Sequence, residues 1–452
     1  MKLLLLLSLA ALLAGTEGVR KNWALLIAGS SGYINYRHQA DICHAYQIMH
    51  KAGIPDEQIV VMMYDDIAHN KENPVKGNII NKPKGPNVYP GVLKDYTGRD
   101  VNAKTFLAVL QGDKEAIRQL TGKDGKVINS GPEDYIFVNF ADHGAPGILG
   151  MPQTPYLKAR ELNTVLKKMA AEKKFAKLNF YVEACESGSV FDKLLPANIN
   201  VYATTAANTT ESSWGCYWDD SRNAYLGDTY SVNWMEDTDK ADLSKETFEQ
   251  QYEKVKVETN QSHVQQYGDL SIDKLTLNAF FGNDKQYVKL NTNTEVPEMR
   301  DQVPEMRDQV PEMRDQVPSE MVAIRTLENR LAKAPANSLE RSRVEVQLAE
   351  LKRTMSLTHQ LIWDIVRTVY SELPENVVYG TVMKTHEEIR DWDCYEMAVD
   401  TLLAFCPGLD ISSNDFALRK FYALVNLCNN NGQGRVISAI ESATVANQLC
   451  RV

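Results

Sequence analysis

The stretch Asn179-Phe180-Tyr181-Val182-Glu183-Ala184-Cys185-Glu186-Ser187-Gly188-Ser189 constrains this chain more than any other: an apolar, aromatic and β-branched run stops at a cysteine and gives way to small polar residues. It predicts a buried strand that delivers a thiol into a loop. A cysteine in such a place is by default a small, inert hydrophobe. The upstream run Tyr135-Ile136-Phe137-Val138-Asn139-Phe140 changes that reading, because it too is strand-like and ends in Ala141-Asp142-His143-Gly144. Between the two, Leu157 to Lys174 carries Leu162, Val165, Leu166, Met169 and Ala170 at helical spacing. The unit therefore reads strand, helix, strand, with a right-handed crossover and parallel neighbours. His143 and Cys185 then lie side by side at the carboxyl edge of an open α/β sheet, the edge at which such folds keep their sites. An imidazole beside a thiol supplies a base for the nucleophile and an acid for a leaving amine.

The segment Met1–Gly18 has one early lysine, a leucine-rich run from Leu3 to Leu13 and small residues at Ala14, Gly15 and Gly18, the pattern of a secretory signal peptide. That run is shorter than the roughly 20 residues a membrane span needs, and no later stretch qualifies, so no membrane insertion is expected. The sequons at Asn208 and Asn260 are glycosylation acceptors on the same route. With 452 residues, 44% of them hydrophobic, the chain can hold more than one domain, and a formal charge of −10 argues against nucleic acid as a partner. Seven cysteines leave at least one thiol unpaired within the chain, and Cys185 offers a reason for it.

Asn22–Gly29 reads as a strand running into Ser30-Ser31-Gly32 and then a helix from His38 to Ala52. The Gly-x-Gly-x-x-Gly spacing of a nucleotide loop is absent, so the turn presents Asn35, Arg37 and His38 instead. Gln58–Tyr64 and Ile199–Thr204 are further strands, and Asn73–Tyr96, rich in Pro, Gly and Asn, reads as a long surface loop. From Val296 to Gln316 the heptapeptide Val-Pro-Glu-Met-Arg-Asp-Gln occurs three times, and Val317-Pro318 begins it again. A coiled coil fails here, since one proline per heptad costs about 3 kcal/mol each inside a helix; an extended linker is expected. Ser319–Leu331 and Ser338–Tyr370 then turn helical, the latter with Leu348, Leu351, Met355, Leu361, Ile365 and Val369 on one stripe. The helical remainder holds Cys394, Cys406, Cys428 and Cys450, which allow three disulfide pairings.

Four motifs, in order along the chain, make it resemble the legumains, or asparaginyl endopeptidases, cysteine proteases of caspase-like fold. They are Asn35-Tyr36-Arg37-His38-Gln39-Ala40-Asp41; Asp142-His143-Gly144; Glu183-Ala184-Cys185-Glu186-Ser187-Gly188; and Tyr225-Leu226-Gly227-Asp228 with Tyr230-Ser231-Val232-Asn233-Trp234. The resemblance runs from Asn22 to the C-terminus, interrupted around residues 282 to 325. It implies an α/β fold, a mostly parallel sheet flanked by helices, followed by an all-α C-terminal prodomain. The expected organisation is a signal peptide over 1–18, a catalytic domain over 19–290, a linker with the repeats and an activation site over 291–337, and the prodomain over 338–452.

The implied machinery is Cys185 as nucleophile, His143 as base and acid, Asn35 as the group orienting the imidazole, and the backbone N–H groups of Gly144 and Cys185 as oxyanion hole. An asparagine side chain both donates and accepts, so its pocket needs a cationic donor beside an anionic acceptor. Arg37 and Asp228 fit those roles, with His38, Glu183 and Ser212 carried over as further lining. Asp142 is a family candidate for succinimide formation and, being next to His143, projects differently from a third triad member. The resemblance favours Cys394 with Cys428 and Cys406 with Cys450, puts Cys216 near the cleft, and leaves Cys43 structural. It implies a zymogen cut after its own Asn337, with Asn329 as second choice. Its partners would be protein and peptide substrates and cystatin-type inhibitors; it would be a monomer, with no cofactor and no metal. The location would be the secretory pathway, endolysosomal or extracellular, including a gut lumen or vacuole-like compartment. A Cys185 thiol paired with His143 is expected to have a lowered pKa, and a Glu186–Arg419 pair to latch the prodomain with a depressed carboxylate pKa. A peptide ligase on the same site is the alternative activity. Gln111-Gly112-Asp113 stands where vertebrate members carry Arg-Gly-Asp, so integrin binding is not carried over.

Overall fold

The computed structural model describes residues 20–282, 315–409 and 415–451. The expected signal peptide and most of the heptapeptide repeat lie outside the described residues. In chain order the strands are β1 (Asn22–Ala28), β2 (Ile59–Met62), β3 (Tyr135–Ala141), β4 (Gly144–Ala145), β5 (Ile148–Leu149) and β6 (Leu157–Lys158). They continue with β7 (Lys177–Glu183), β8 (Val201–Thr205), β9 (Trp214–Asp219), β10 (Ala224–Asp228), β11 (Gln265–Gly268) and β12 (Val317–Pro318).

The central sheet has the order β11-β8-β7-β3-β1-β2, parallel throughout except for β11 at its edge. Alternation along each strand divides its side chains between two faces. Trp23, Leu25, Ile27, Ile136, Val138, Phe140, Leu178, Phe180 and Val182 pack on one face; Ala24, Leu26, Ala28, Phe137, Ala141 and Tyr181 pack on the other. Both faces are apolar because both are covered, the rule for parallel sheets. The helices Ala103–Gln111, Lys114–Thr121 and Ala159–Ala171 contribute to the first core; Tyr36–Lys51, Thr229–Lys240 and Phe248–Glu258 contribute to the second.

Residues 73–96 are irregular, yet they do not float on the surface. Ile79, Ile80, Val88, Val92 and Tyr96 are buried. The Asn73 amide donates to the carbonyls of Ile67, Ala68 and Asn78, satisfying backbone that no ladder reaches. The segment is thus a packed layer over the first helix, held by side-chain amides in place of secondary structure.

Beyond the repeat the chain is helical: Val322–Lys333, Leu339–Val369, Glu375–Val378, Trp392–Phe405, Asp415–Asn430 and Gln433–Ala446. Disulfides join Cys394 to Cys428 and Cys406 to Cys450. This helical part lies on the catalytic part and is tied to it by ion pairs around the contact. Arg160 makes a two-pronged bond to Glu396 at 2.8 and 2.7 Å and meets Asp393 at 2.8 Å; Lys158 meets Asp400 at 2.6 Å; Lys193 meets Glu388 at 2.5 Å. At one point the fit is steric: Gly147, with φ +65°, lies where a Cβ would sit 2.6 Å from Trp392. Among the described residues no helix is long and apolar enough to cross a membrane.

Candidate active site

The register of the central sheet brings the two strand ends together. Ala141 of β3 is paired with Glu183 of β7, and the Asp142 amide donates to the Glu183 carbonyl at 3.0 Å. His143 and Cys185 therefore leave the sheet at the same edge, two residues past the pair. Their backbones touch: a Cβ on Gly144 would lie 2.0 Å from the Cys185 carbonyl oxygen, so only glycine fits there. Asp142 is wedged similarly, its carboxylate filling the space beside Gly29 and Gly150.

The imidazole of His143 is held from both sides. Its Nε2 is 2.9 Å from Asn35 Oδ1, while the Asn35 amide donates to the Ser31 carbonyl at 2.9 Å, which fixes which end of the amide faces the ring. A carbonyl oxygen accepts, so Nε2 donates to Asn35 and Nδ1 is the nitrogen that faces away from it. Nδ1 lies 2.9 Å from Asp415, at the start of the helix Asp415–Asn430 of the C-terminal part. Burial alone would lower the pKa of His143; the Asp415 carboxylate outweighs it, and the net direction is up. Asp142 is raised to about 7, chiefly by burial against the opposing pull of His143, and its Oδ1 sits 3.3 Å from His38 Nδ1 and 4.0 Å from His143 Nε2.

Cys185 is buried, and its sulfur accepts from the Ser213 amide at 3.3 Å and lies 3.7 Å from the Ser213 hydroxyl. The lowered pKa expected from a thiol–imidazole pair is not what this state has. Burial, then Glu186 and Glu320, push the thiol well above its ordinary value, against Arg419. The reason is the cover: it seals the sulfur from water and adds the Glu320 carboxylate, while Nδ1 of the imidazole lies against Asp415.

The pocket residues converge. Arg37, 1% exposed, donates from Nε to Asp228 at 2.8 Å, and His38 Nε2 lies 3.6 Å from the same aspartate. Glu183 Oε2 accepts from the Ser231 amide and hydroxyl at 2.9 and 3.0 Å, which ties it to the first turn of the helix Thr229–Lys240. Burial, followed by the charges of Asp228 and Glu183, raises the pKa of Asp41 well above the ordinary range, and Glu183 and Asp228 are raised by burial too. Three carboxyl groups thus crowd together, and Asp228 is the one that pairs with the guanidinium. Asp41 carried no role in the sequence reading; its place one helical turn after Arg37 was the available signal.

The segment before the helical part runs through this cleft. Val317 and Pro318 pair antiparallel with Gly215 and Trp214, so the end of the expected extended linker is a strand of the small sheet β10-β9-β12. Ser319 donates its amide to the Ser213 carbonyl at 2.9 Å and accepts from Arg37 Nη2 at 2.8 Å. Ser212 donates to Glu320 at 2.5 Å. Arg419 meets Glu186, the partners named for a latch, and lies 3.8 Å from Glu320. The expected depression of the Glu186 pKa is overturned: burial, joined by Glu320, raises it to about 8 against Arg419. Ser213, Ser319, Glu320 and Asp415 were invisible to sequence reasoning because their roles are made by long-range contact.

The two asparagines proposed for processing differ in setting. Asn337 is exposed, with φ +61°, in the short connection before the Ser338-capped helix Leu339–Val369, whereas Asn329 is half-buried inside the helix Val322–Lys333. Asn260 is exposed and Asn208 half-buried. Cys43 is buried beside Met63, and Cys216 is buried with its sulfur 3.4 Å from the Gly227 carbonyl.

With a sealed thiol and imidazole at neighbouring strand ends and a disulfide-bonded helical part laid over them, fold and site define a cysteine protease carrying its prodomain. The comparisons with known proteins agree. Residues 22–283 match the peptidase C13 family, and residues 347–446 match the legumain prodomain. The chain belongs to the peptidase C13 family. Legumain from Bos taurus is 44% identical over 91% of this chain and 89% of its own, and legumain from Homo sapiens 45% identical over 90% and 89%. The vacuolar-processing enzyme of Vicia sativa is 40% identical over 91% of this chain and 83% of its own. Caspase-1 from Spodoptera frugiperda is similar in structure at a TM-score of 0.32 and 12% identity, over 58% of this chain and 90% of that one.

Because the His143 pKa is raised, the stabilisation from its pairing with Asp415 is full below the ordinary value near 6.5 and is lost as pH rises through the raised value. In the full-length chain carrying Asp415→Asn, the His143 ring should titrate at a lower pH than in the wild type, read by NMR of the ring protons. An unchanged midpoint would remove Asp415 as the partner that charges the ring.

Proposed function

We propose that the mature protein hydrolyses peptide bonds on the carboxyl side of asparagine, and of aspartic acid when acid protonates it, through a thioester on Cys185. The observation that carries this reading is the buried Arg37–Asp228 pair 2.8 Å apart, entered by the side chain of Ser319 from a strand that crosses the cleft as a substrate would. Arg37 would donate to the asparagine carbonyl and Asp228 would accept from its amide. In the first half of the reaction Cys185 Sγ bonds to the substrate carbonyl carbon while His143 Nδ1 takes the thiol proton. The N–H groups of Gly144 and Cys185 hold the oxyanion, and His143 passes its proton to the departing amine. In the second half His143 takes a proton from water, the hydroxide adds to the thioester, and the thiolate leaves. Asn35 keeps Nε2 protonated so that Nδ1 can serve.

Peptides that differ only as Asn, Asp or Gln, incubated with the acid-matured enzyme from pH 4 to 7 and followed by mass spectrometry, test the reading and also report any ligated product. Cleavage after Asn should hold across the range, whereas cleavage after Asp should climb toward pH 4, because its carboxylate, with an ordinary pKa of about 3.9, meets a pocket already crowded with carboxyl groups. Cys185→Ala should lose on the order of 10⁴-fold or more in kcat. Equal cleavage after Asp and Asn at pH 7 would contradict the pocket.

The same reading makes the full chain a zymogen that matures in an acid compartment of the secretory route, by a cut after Asn337. The exposed connection around Asn337 can straighten into a cleft at little cost, while Asn329 would first have to unwind a helix. Asn337→Gln should therefore slow maturation at pH 4 and remove the 337–338 junction from the products; the wild-type junction and rate in that variant would end the assignment.

Acid release cannot come from Glu186, whose raised pKa means that its titration favours the folded state in acid and ceases to as pH rises through about 8. The ion pairs at the rim, Arg160 with Asp393 and Glu396 and Lys158 with Asp400, are what tie the helical part to the catalytic part. Arg160→Gln should release the helical part more readily at a fixed pH, measured by size exclusion of the Cys185→Ala background after limited cutting; unchanged retention would exclude the rim.

A further inference from the structure

The edge of β9 is covered by a strand that the chain lends to itself, and the sequence holds further copies of that strand. Val317 and Pro318 pair with Gly215 and Trp214; the Asp315 carboxylate accepts the Trp218 amide; and Val317 is buried with Tyr225 and Val322. Proline is tolerated there because β12 is an outermost strand, whose outward amide needs no ladder partner. This is recognition by strand addition, in which main-chain bonds give affinity and alternate side chains give selectivity.

The docked tetrapeptide Asp315-Gln316-Val317-Pro318 occurs twice more, as Asp301-Gln302-Val303-Pro304 and Asp308-Gln309-Val310-Pro311, each copy preceded by arginine. The copies diverge at the next position, where Ser319 is replaced by Glu305 and Glu312. That position faces Arg37, whose Nη1 has no hydrogen-bond partner among the described residues. A glutamate there brings a carboxyl group toward a guanidinium with a donor to spare and, like the aspartic acid of a substrate, it fits that crowded place best when acid protonates it. The upstream copies therefore keep every group that the docked copy uses on β9 and exchange the Ser319 hydroxyl for a carboxyl group. Val296–Pro318 contains no asparagine, so a copy in the groove is not a substrate for cleavage after asparagine.

We propose that the Trp214–Asp219 edge is a docking site for Asp-Gln-Val-Pro and that its occupant is the linker's own repeat, any copy of which fits. A cut after Asn337 leaves all three copies joined to the catalytic part, so the repeat becomes a tethered competitor for the substrate groove once the helical part has gone. That consequence for turnover rests on the function proposed above. A short flexible tether supplies an effective concentration in the millimolar range, so even a copy with a Kd of about 1 mM fills the groove roughly half the time.

Two measurements test this. In the full chain, hydrogen exchange at Trp214–Asp219 reads occupancy of the edge without any need for activity. Protection should persist in Val317→Asp, where another copy takes over, and should fall when Val303→Asp and Val310→Asp are added. Loss in the single variant as large as in the triple, or no loss in the triple, would overturn the proposal. In the acid-matured enzyme, deletion of residues 296–309 should lower the apparent KM for an asparagine peptide about twofold or more at unchanged kcat. The peptide Arg-Asp-Gln-Val-Pro-Glu-Met should raise it competitively, and its Val→Asp form should not. An unchanged KM together with no competition would also overturn it, whereas a wild-type enzyme that ignores asparagine peptides would sink the functional reading and leave the exchange result to judge the docking site.

Discussion

A guanidinium with 1% exposure is the constraint around which this cleft is built. A buried arginine stripped of its counter-charge costs about 3–5 kcal/mol, so Arg37 needs a fixed acidic partner wherever the fold puts it. The first helix carries it to the end of β10, where Asp228 meets it at 2.8 Å. Asp228 then brings its own demands, since Asp41 and Glu183 are close enough for all three carboxyl groups to be raised. Glu183 is restrained by the start of the helix Thr229–Lys240, and Asp41 accepts from the Asn81 amide at 2.7 Å. The cluster is therefore braced by two helices, two strands and the layer 73–96.

The same arginine also meets the cover. Its free face is taken by Ser319 at 2.8 Å and by Asp415 at 4.0 Å, one from the segment that crosses the cleft and one from the helical part. Asp415 also takes the nitrogen of His143 that would serve the thiol, and Glu320 helps to keep that thiol protonated. Latency is thus not a matter of blocked access alone. The cover also bears on the protonation of the two groups beneath it.

Much of this was legible in the residues. The run 135–141 is apolar on both faces but for Asn139, and 177–183 carries Leu178, Phe180 and Val182 on one face and Tyr181 on the other, the pattern of covered parallel strands, and a residue that can do chemistry lies two places beyond the end of each. Strand direction and edge followed from the helical pattern between them. The helical C-terminal part followed from its periodic apolar stripe. The layer 73–96 was misread as surface because its Pro, Gly and Asn content signals irregular backbone, and irregular backbone is buried only when particular side chains such as Asn73 satisfy it.

What the sequence by itself determined is the set of groups and the edge to which they are delivered: local patterning fixes strands and helices, and parallel pairing fixes that His143 and Cys185 emerge together. What only the tertiary structure decided is their state. The pKa of Cys185 and of Glu186 went the opposite way from expectation because burial, which no local pattern reports, is the largest contribution to each, and because Glu320, over 130 residues away along the chain, stands beside both. Charge in a buried site is set by everything within a few ångströms, and proximity of that kind exists only after the chain has folded.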